Sequence, residues 1–326
     1  SKEKKEKIFY LQKLTKELNF KKSLDKIIFQ EKLNINLDKN LFLEKYTYLK
    51  GFETGIDNTF PGSGYLDFFN NNLVVISSRG VLGYSPLDKN TFNFKQIENN
   101  IHNFINEQQF KKHKRFSIKD LHINNNKIYV SYTEEIEKNC WNMSILSADF
   151  SYSKINFKKL FSPKECIHSI KNNDNEFNAM QSGGRIISLD NDHIIFSTGE
   201  FRSRYLAQNI QSINGKLIKI NIKSSNFKII SSGHRNVQGL LFDKDEKFLL
   251  FTEHGPAGGD EINLLDITKD TISNYGWPIS SYGYHYSDKL DITRNKKYPF
   301  LKSHSSYGFI EPLKYFTPSI LSLIHI

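Results

Sequence analysis

The sequence predicts an all-β protein, a β-propeller of four-stranded blades. Three observations predict it: a composition that favours strands, a hairpin pattern that recurs along the chain, and no sustained helical period between the recurrences. Of 326 residues, 38% are hydrophobic and 13% aromatic, with 26 Phe and 16 Tyr. That is enough apolar material for a sizeable core, and a bias to Ile, Phe and Tyr suits pleated, half-buried surfaces.

The recurring pattern occupies YLDFFNNNLVVISS (65–78), DLHINNNKIYVSYT (120–133), IISLDNDHIIFSTG (186–199) and GLLFDKDEKFLLFTE (239–253). Each segment has a short alternating run, an Asn/Asp-rich turn and then about four mostly apolar residues. Asn and Asp tolerate the left-handed conformations of tight hairpin turns. Each segment therefore reads as a hairpin whose second strand is largely buried. The turns centre near Asn71, Asn125, Asn191 and Lys244, at intervals of 54, 66 and 53 residues. Spacing of that size marks a repeat fold. Further strand-like text fills each interval, such as NMSILSADF (142–150) and GKLIKINI (215–222). Four strands fit each interval, which makes a propeller blade; stacked helical repeats do not fit.

The next hairpin is due shortly after Tyr315, where the chain reads FTPSILSLIHI and stops. Residues 51–326 therefore read as an incomplete propeller of about four to five blades, and the chain as a fragment, because propellers close to remove exposed edges. Residues 1–50 form a leader region. Ile8, Leu11, Leu14 and Leu18 share one face of a short helix. LNINLDKNLFLEKYTYLKGFETGI then looks strand-like, either as an outer strand for the closing blade or as part of a separate leader.

The formal charge is +10, from 45 Lys and Arg against 35 Asp and Glu. Apart from SKEKKEK (1–7) and FKKHKRF (110–116) the lysines are scattered, without zinc-finger spacing or a basic heptad region. This favours a solvated surface over nucleic-acid binding. No apolar run is long enough to span a membrane within this chain. The first residue is Ser, so a signal peptide or membrane anchor is expected upstream. Cys140 and Cys166 are too few for a disulfide framework or a zinc site. One disulfide in an exported protein and two unpaired thiols both remain open.

The chemistry concentrates in GHRNVQGLLFDKDEKFLLFTEHGPAGGDEINLL (233–265). Arg235 offers a planar fork for a carboxylate or other anion, and Asn236 can donate and accept. The turn at Gly255 and Pro256 can aim backbone carbonyls outwards, as calcium requires, and Asp260 and Glu261 add hard oxygen donors. A plain structural role would have Arg235 bridge to Asp260 while the glycines mark tight corners. Two such polar turns flanking one hairpin point instead to a site.

These residues also carry a resemblance. GHRNVQGLLFD, TEHGPAGGDEINLL, NYGWP (274–278), QSGGRIISLDNDHIIFSTGE (181–200) and AQNIQSINGKLIKI (207–220) resemble, in order and content, the turns of the glucose/sorbosone dehydrogenase family. That family includes soluble sugar dehydrogenases that use pyrroloquinoline quinone (PQQ), and the resemblance implies a six-bladed propeller. It also implies an oxidoreductase acting on the CH–OH group of an aldose or other alcohol, with hydride passing to PQQ beside Ca2+. By the same resemblance Arg235 and Asn236 contact the quinone, the Gly255 and Pro256 carbonyls hold the Ca2+ that polarises it, and Glu261 and Tyr275 lie near a second, structural calcium. A periplasmic or extracellular location and an electron-acceptor protein partner are further implications.

One departure stands out. The family's catalytic His, just before the GGR turn, is Gln181 here, and an amide accepts no proton at useful pH. The supporting Asp is Glu200. His168 and Glu176 are upstream candidates for a replacement base, whereas His234 and His254 read as structural or cofactor-adjacent. An inactive propeller that binds carbohydrate, calcium or a protein is the alternative.

Overall fold

Asn-rich turns build this protein's hairpins as the sequence predicts. Asn70, Asn71, Asn125 and Asn126 all adopt positive φ, between 45 and 60°, the backbone that a right-twisted two-residue turn demands. A computed structural model describes residues 4–9, 11–12, 27–28, 31–38, 41–47, 64–87, 93–105, 109, 112, 115–286 and 296–320. The fold is a β-propeller of four-stranded blades. The chain divides into two compact units, Ser1–Ile128 with Ala148–Phe157, and Tyr129–Ser147 with Lys158–Ile326.

In the first unit the strands Gly64–Phe69, Asn72–Ser77, Leu82–Pro86 and Asn93–Asn99 run antiparallel in sequence order. The strand-like leader text forms its own hairpin, Glu31–Asp38 against Leu41–Thr47. Residues 4–9 and 11–12 are helical, but Ile8 and Leu11 are 47% and 50% exposed. The described part of the amphipathic face is therefore not buried, and Leu14 and Leu18 lie outside the described residues.

The second unit carries the residues of chemical interest. Its first sheet contains Lys127–Glu137, Cys140–Asp149 and Lys158–Phe161. The next comprises Gly183–Ser188, His193–Thr198, Lys216–Asn221 and Phe227–Ser232, and the last Val237–Asp243, Phe248–Glu253, Asp260–Asp266 and Lys314–Phe316. Side chains such as Tyr129, Met143, Ile186, Phe196 and Ile218 pack the first two sheets together. Ile195, Leu217, Val237, Leu249 and Phe251 do the same for the last two.

Lys314–Phe316 is the outer strand of the last sheet, paired with Asp260–Asp266; the hairpin expected shortly after Tyr315 reaches into residues 321–326, which lie outside the described residues. One expectation changes. The strand Phe248–Glu253 alternates between buried and half-buried positions, unlike the nearly continuous burial of Asn72–Ser77 and His193–Thr198. Only one of its faces is packed as a core strand would be, and its apolar run hides that.

Cys140 and Cys166 are joined in a disulfide across 26 residues, which selects one of the two readings left open by the sequence. The crosslink stiffens the unfolded chain, and a loop of this length stabilises by ~3.5 kcal/mol in the chain-entropy account. Replacing both cysteines with alanine should lower the free energy of urea unfolding by that order.

Candidate functional site

Three turns of the second unit converge. The first precedes Gly183–Ser188 and carries Gln181, and the second follows His193–Thr198 and carries Glu200. Gly199 presses them together: a Cβ there would lie 2.2 Å from the Gln181 carbonyl oxygen. The Gly199 N–H donates to the Ser182 carbonyl (2.7 Å) and the Phe201 N–H to the Gln181 carbonyl (2.8 Å). No side chain fits at Gly199, which is why the text reads STGE. The third turn, His234–Asn236, leads into the last blade. It docks through the Glu200 N–H to the Arg235 carbonyl (3.4 Å) and the Gly183 N–H to Asn236 Oδ1 (3.0 Å).

Gln181, Glu200 and Arg235 form one buried relay. Only one orientation of the Gln181 amide satisfies both neighbours: its nitrogen donates to Glu200 Oε1 (2.6 Å) and its oxygen accepts from Arg235 Nη2 (2.9 Å). Arg235 Nη1 donates to the His254 carbonyl (2.9 Å) and Nη2 to the Tyr286 hydroxyl (3.2 Å). Its guanidinium lies 5.5 Å from the Trp277 ring centre and 6.0 Å from that of Tyr286, within range of cation–π attraction. Burial depresses the pKa of Arg235, opposed by Tyr286 and Glu200. Glu200 is fully buried, and its Oε2 has no hydrogen-bond partner among the described residues. Burial raises its pKa from 4.5 to about 7, against the pull of Arg204, Arg235 and Arg202.

The Gly255–Pro256 bend continues from this relay through His254. Arg235 does not bridge to Asp260. Asp260 instead accepts from the Gly255 N–H (3.0 Å) and the Ser319 hydroxyl (3.0 Å). A Cβ on Gly255 would meet the Gly259 and Gly258 carbonyl oxygens at 2.2 and 2.3 Å, so the loop closes tightly on itself. Among the described residues no backbone hydrogen bond ends on the Gly255 or Pro256 carbonyl.

Glu261 and Tyr275 meet in an adjoining cluster. His304 Nδ1 bonds the Tyr275 carbonyl (2.9 Å), and its Nε2 lies 3.4 Å from Glu261 Oε1. Glu253, opposite Glu261 in the strand register, joins the two clusters. Its carboxylate accepts from the Arg235 N–H (2.9 Å) and from Asn263 Nδ2 (3.1 Å). Burial, reinforced by the Glu253 charge, raises the Glu261 pKa well above its ordinary value. Asn263 Oδ1 and His304 Nε2 are buried without a hydrogen-bond partner among the described residues. The Tyr275 side chain is structural: its hydroxyl donates to the Leu264 carbonyl (2.7 Å) and its ring stacks on His234.

The other histidine and acid candidates lie apart from the relay. His168 is exposed on a short strand. Glu176 is engaged by Arg204 at 2.8 Å and Arg202 at 3.8 Å. His234 is buried between Ser231 (2.7 Å) and Glu253 (3.3 Å). Sequence reasoning missed Glu253, Tyr286, His304 and Lys216. The fully buried Lys216 ammonium donates to the carbonyls of Leu206, Ala207 and Asn214 at 2.7–2.9 Å, fixing the turn after Glu200. A lysine amid KLIKIN gave no signal beyond its strand position, whereas Glu253 sat beside the HGP turn in plain text.

The turns of this propeller gather a buried arginine, carbonyls without backbone partners and an acidic cluster, and comparison with known proteins places the fold further. A family model described as glucose/sorbosone dehydrogenase matches residues 117–322. The chain belongs to that family. It is 32% identical over 150 residues to the aldose sugar dehydrogenase YliI of Escherichia coli, covering 42% of this chain and 38% of that protein. It is 40% identical over 90 residues to quinoprotein glucose dehydrogenase B of Acinetobacter calcoaceticus, covering 23% and 18%. The chain thus spans well under half the length of these curated relatives. Its fold resembles the soluble aldose sugar dehydrogenase of Escherichia coli in the apo form, with a TM-score of 0.56 at 23% identity over 78% of this chain and 72% of that one. A glucose dehydrogenase structure gives 0.57 at 22% over 79% and 73%.

The buried Glu200 yields a pH-dependent stability. Its folded-state pKa lies above its ordinary value, so the native state binds the proton more tightly. Glu200 favours folding at low pH, and that contribution is lost as pH rises from about 4.5 to about 7. Urea midpoints across this range should fall less steeply in Glu200→Gln than in the unsubstituted protein.

Proposed function

We propose that this chain carries the cofactor-holding part of a quinone-dependent sugar or alcohol dehydrogenase. The observation that supports it most is the junction of the buried Arg235 fork, through His254, with the Gly255 and Pro256 carbonyls. Arg235 retains N–H donors beyond those spent on Gln181, His254 and Tyr286, which suits an anionic or quinone oxygen. Two carbonyls without backbone partners suit a hard cation. Bound PQQ would supply a two-electron hydride acceptor, and Ca2+ beside it would polarise the quinone. Arg235 and Asn236 would orient the cofactor, and Gly255 and Pro256 would hold the ion.

Glu261 and the backbone at Tyr275 are proposed to hold a second, structural Ca2+. Two facing buried carboxylates, Glu253 and Glu261, repel each other, and the orphaned Asn263 Oδ1 nearby is another hard oxygen. A cation would relieve both. Adding millimolar Ca2+ should raise the thermal midpoint of the protein, and Glu261→Gln should abolish most of that increase in differential scanning fluorimetry.

The proton acceptor is the weak point of the dehydrogenase reading. Both ends of the Gln181 amide are occupied, and it has no basic lone pair for a substrate hydroxyl. That observation favours a second reading, a propeller that binds quinone, calcium or carbohydrate with little turnover. The disulfide supports export to an oxidising compartment, periplasmic or extracellular, where an electron-acceptor protein would be the partner. Among the described residues no helix is long and apolar enough to cross a membrane.

Reconstitution with PQQ and Ca2+, followed by dye reduction over a panel of aldoses and alcohols, separates the readings. The expected result is a shifted absorbance of bound cofactor, slow turnover, and a rise in kcat of about 10²–10⁴-fold in Gln181→His, the usual worth of a placed base. Cofactor binding without turnover in either protein would leave the binding reading. No cofactor binding would reject both quinone proposals.

A further inference from the structure

Glu200 and Gln181 together make a two-position device. A carboxylate only accepts hydrogen bonds, a protonated carboxyl also donates one, and a primary amide can present either its oxygen or its nitrogen. We propose that Glu200 acts through Gln181 as a positioning residue for Arg235: ionised, it takes the amide nitrogen and leaves the amide oxygen to hold the guanidinium; protonated, it turns the amide over and releases the guanidinium.

The surroundings decide where the proton goes. Glu200 Oε2 is buried with no partner among the described residues, so a hydroxyl there would be an unsatisfied buried donor, at a cost of ~1–3 kcal/mol. On Oε1 the same proton faces Gln181, 2.6 Å away, and finds an acceptor once the amide turns. The turned amide then points its NH2 at Arg235 Nη2, donor against donor. Arg235 tolerates the loss because the His254 carbonyl and the Tyr286 hydroxyl still hold it. The fork therefore shifts rather than leaving the site.

The charged groups facing Glu200 are Arg202 and Arg204 from its own loop and Arg235 from the next blade. Glu176 pairs with Arg204 at 2.8 Å and lies 3.8 Å from Arg202. Burial prevails over the three arginines, and the Glu200 pKa of about 7 puts both states of the device within reach near neutrality. The inference rests on the proposed reading of Arg235 as the cofactor fork only for its consequence, a cofactor held more firmly above neutral pH than below it. The device itself needs neither cofactor nor sugar.

Trp277 provides the readout. Its ring lies 5.5 Å from the Arg235 guanidinium carbon, and the chain's other tryptophan, Trp141, is fully buried in the first sheet of this unit. Intrinsic fluorescence of the cofactor-free protein should show one transition with a midpoint near 7 when titrated from about pH 5.5 to about 8.5. Trp277→Phe should remove the transition. Glu200→Gln should flatten it, and so should Gln181→Leu, which leaves Glu200 titrating but cuts the link to Arg235. A flat titration of the unsubstituted protein would overturn the proposal. So would a transition that survives in Glu200→Gln, which would assign it to a histidine such as His254. Should Glu200→Gln fail to fold, Gln181→Leu decides alone: survival of the transition there shows that Glu200 does not act through the amide. These outcomes do not depend on turnover, so loss of the dehydrogenase reading would leave them standing.

Discussion

The placement of Arg235 is the constraint on which the other features of the site depend. A guanidinium only 5% exposed carries a desolvation cost that loose contacts cannot offset; it must be met by acceptors in fixed positions. Those acceptors come from three separate turns: the Gln181 amide, the His254 carbonyl and the Tyr286 hydroxyl. Each turn must therefore be held in place. Gly199 allows the Gln181 turn to touch the Glu200 turn, and the buried Lys216 ammonium fixes the segment behind them. The Glu253 carboxylate pins the Arg235 backbone from the far side. Much of the polar chemistry of the second unit is thus scaffolding for one cation.

The adjoining cluster poses the opposite problem. There the excess is negative, with Glu253 and Glu261 facing each other across a strand pair and Asp260 next in sequence. Among the described residues the Glu261 carboxylate accepts a hydrogen bond from Asn263, and His304 Nε2 lies 3.4 Å away without forming one. Burial depresses the His304 pKa, so it offers little positive charge of its own. Two neighbouring sites of opposite polarity, joined through Glu253, form a pattern in which an anionic cofactor and a cation would each meet an existing imbalance.

How much of this was legible in the sequence varies with the range of the interaction. The first two hairpins were readable because their cause is local: consecutive Asn residues at positive φ between apolar runs. The polar turns around Arg235 and Gly255 were readable because glycine and charge clustered in adjacent text. The outer strand Lys314–Phe316 was not, since it pairs with Asp260–Asp266 some fifty residues earlier and has no pattern of its own. The contact between Gln181 and Arg235 was likewise hidden, because it depends on two turns meeting across blades. Asp260 looked like the partner of Arg235 by charge alone. In the fold its carboxylate caps the Gly255 N–H, and a local backbone donor prevails over a more distant cation.

An amide at position 181 does different work from the basic imidazole that the family resemblance implies there. An imidazole between a carboxylate and a substrate can hold a charge and pass it on; an amide between a carboxylate and a guanidinium can only orient. Glu200 lies 2.6 Å from the Gln181 amide, and the amide 2.9 Å from Arg235, so the geometry around position 181 is closely fitted although the amide is no base. Gln181 is satisfied on both sides, whereas Glu200 Oε2, Ser182 Oγ, Ser203 Oγ and Arg204 Nη1 are buried without hydrogen-bond partners among the described residues. The fit is therefore tight at the amide and open around it, and the hold of the amide on the Arg235 fork needs no base at position 181.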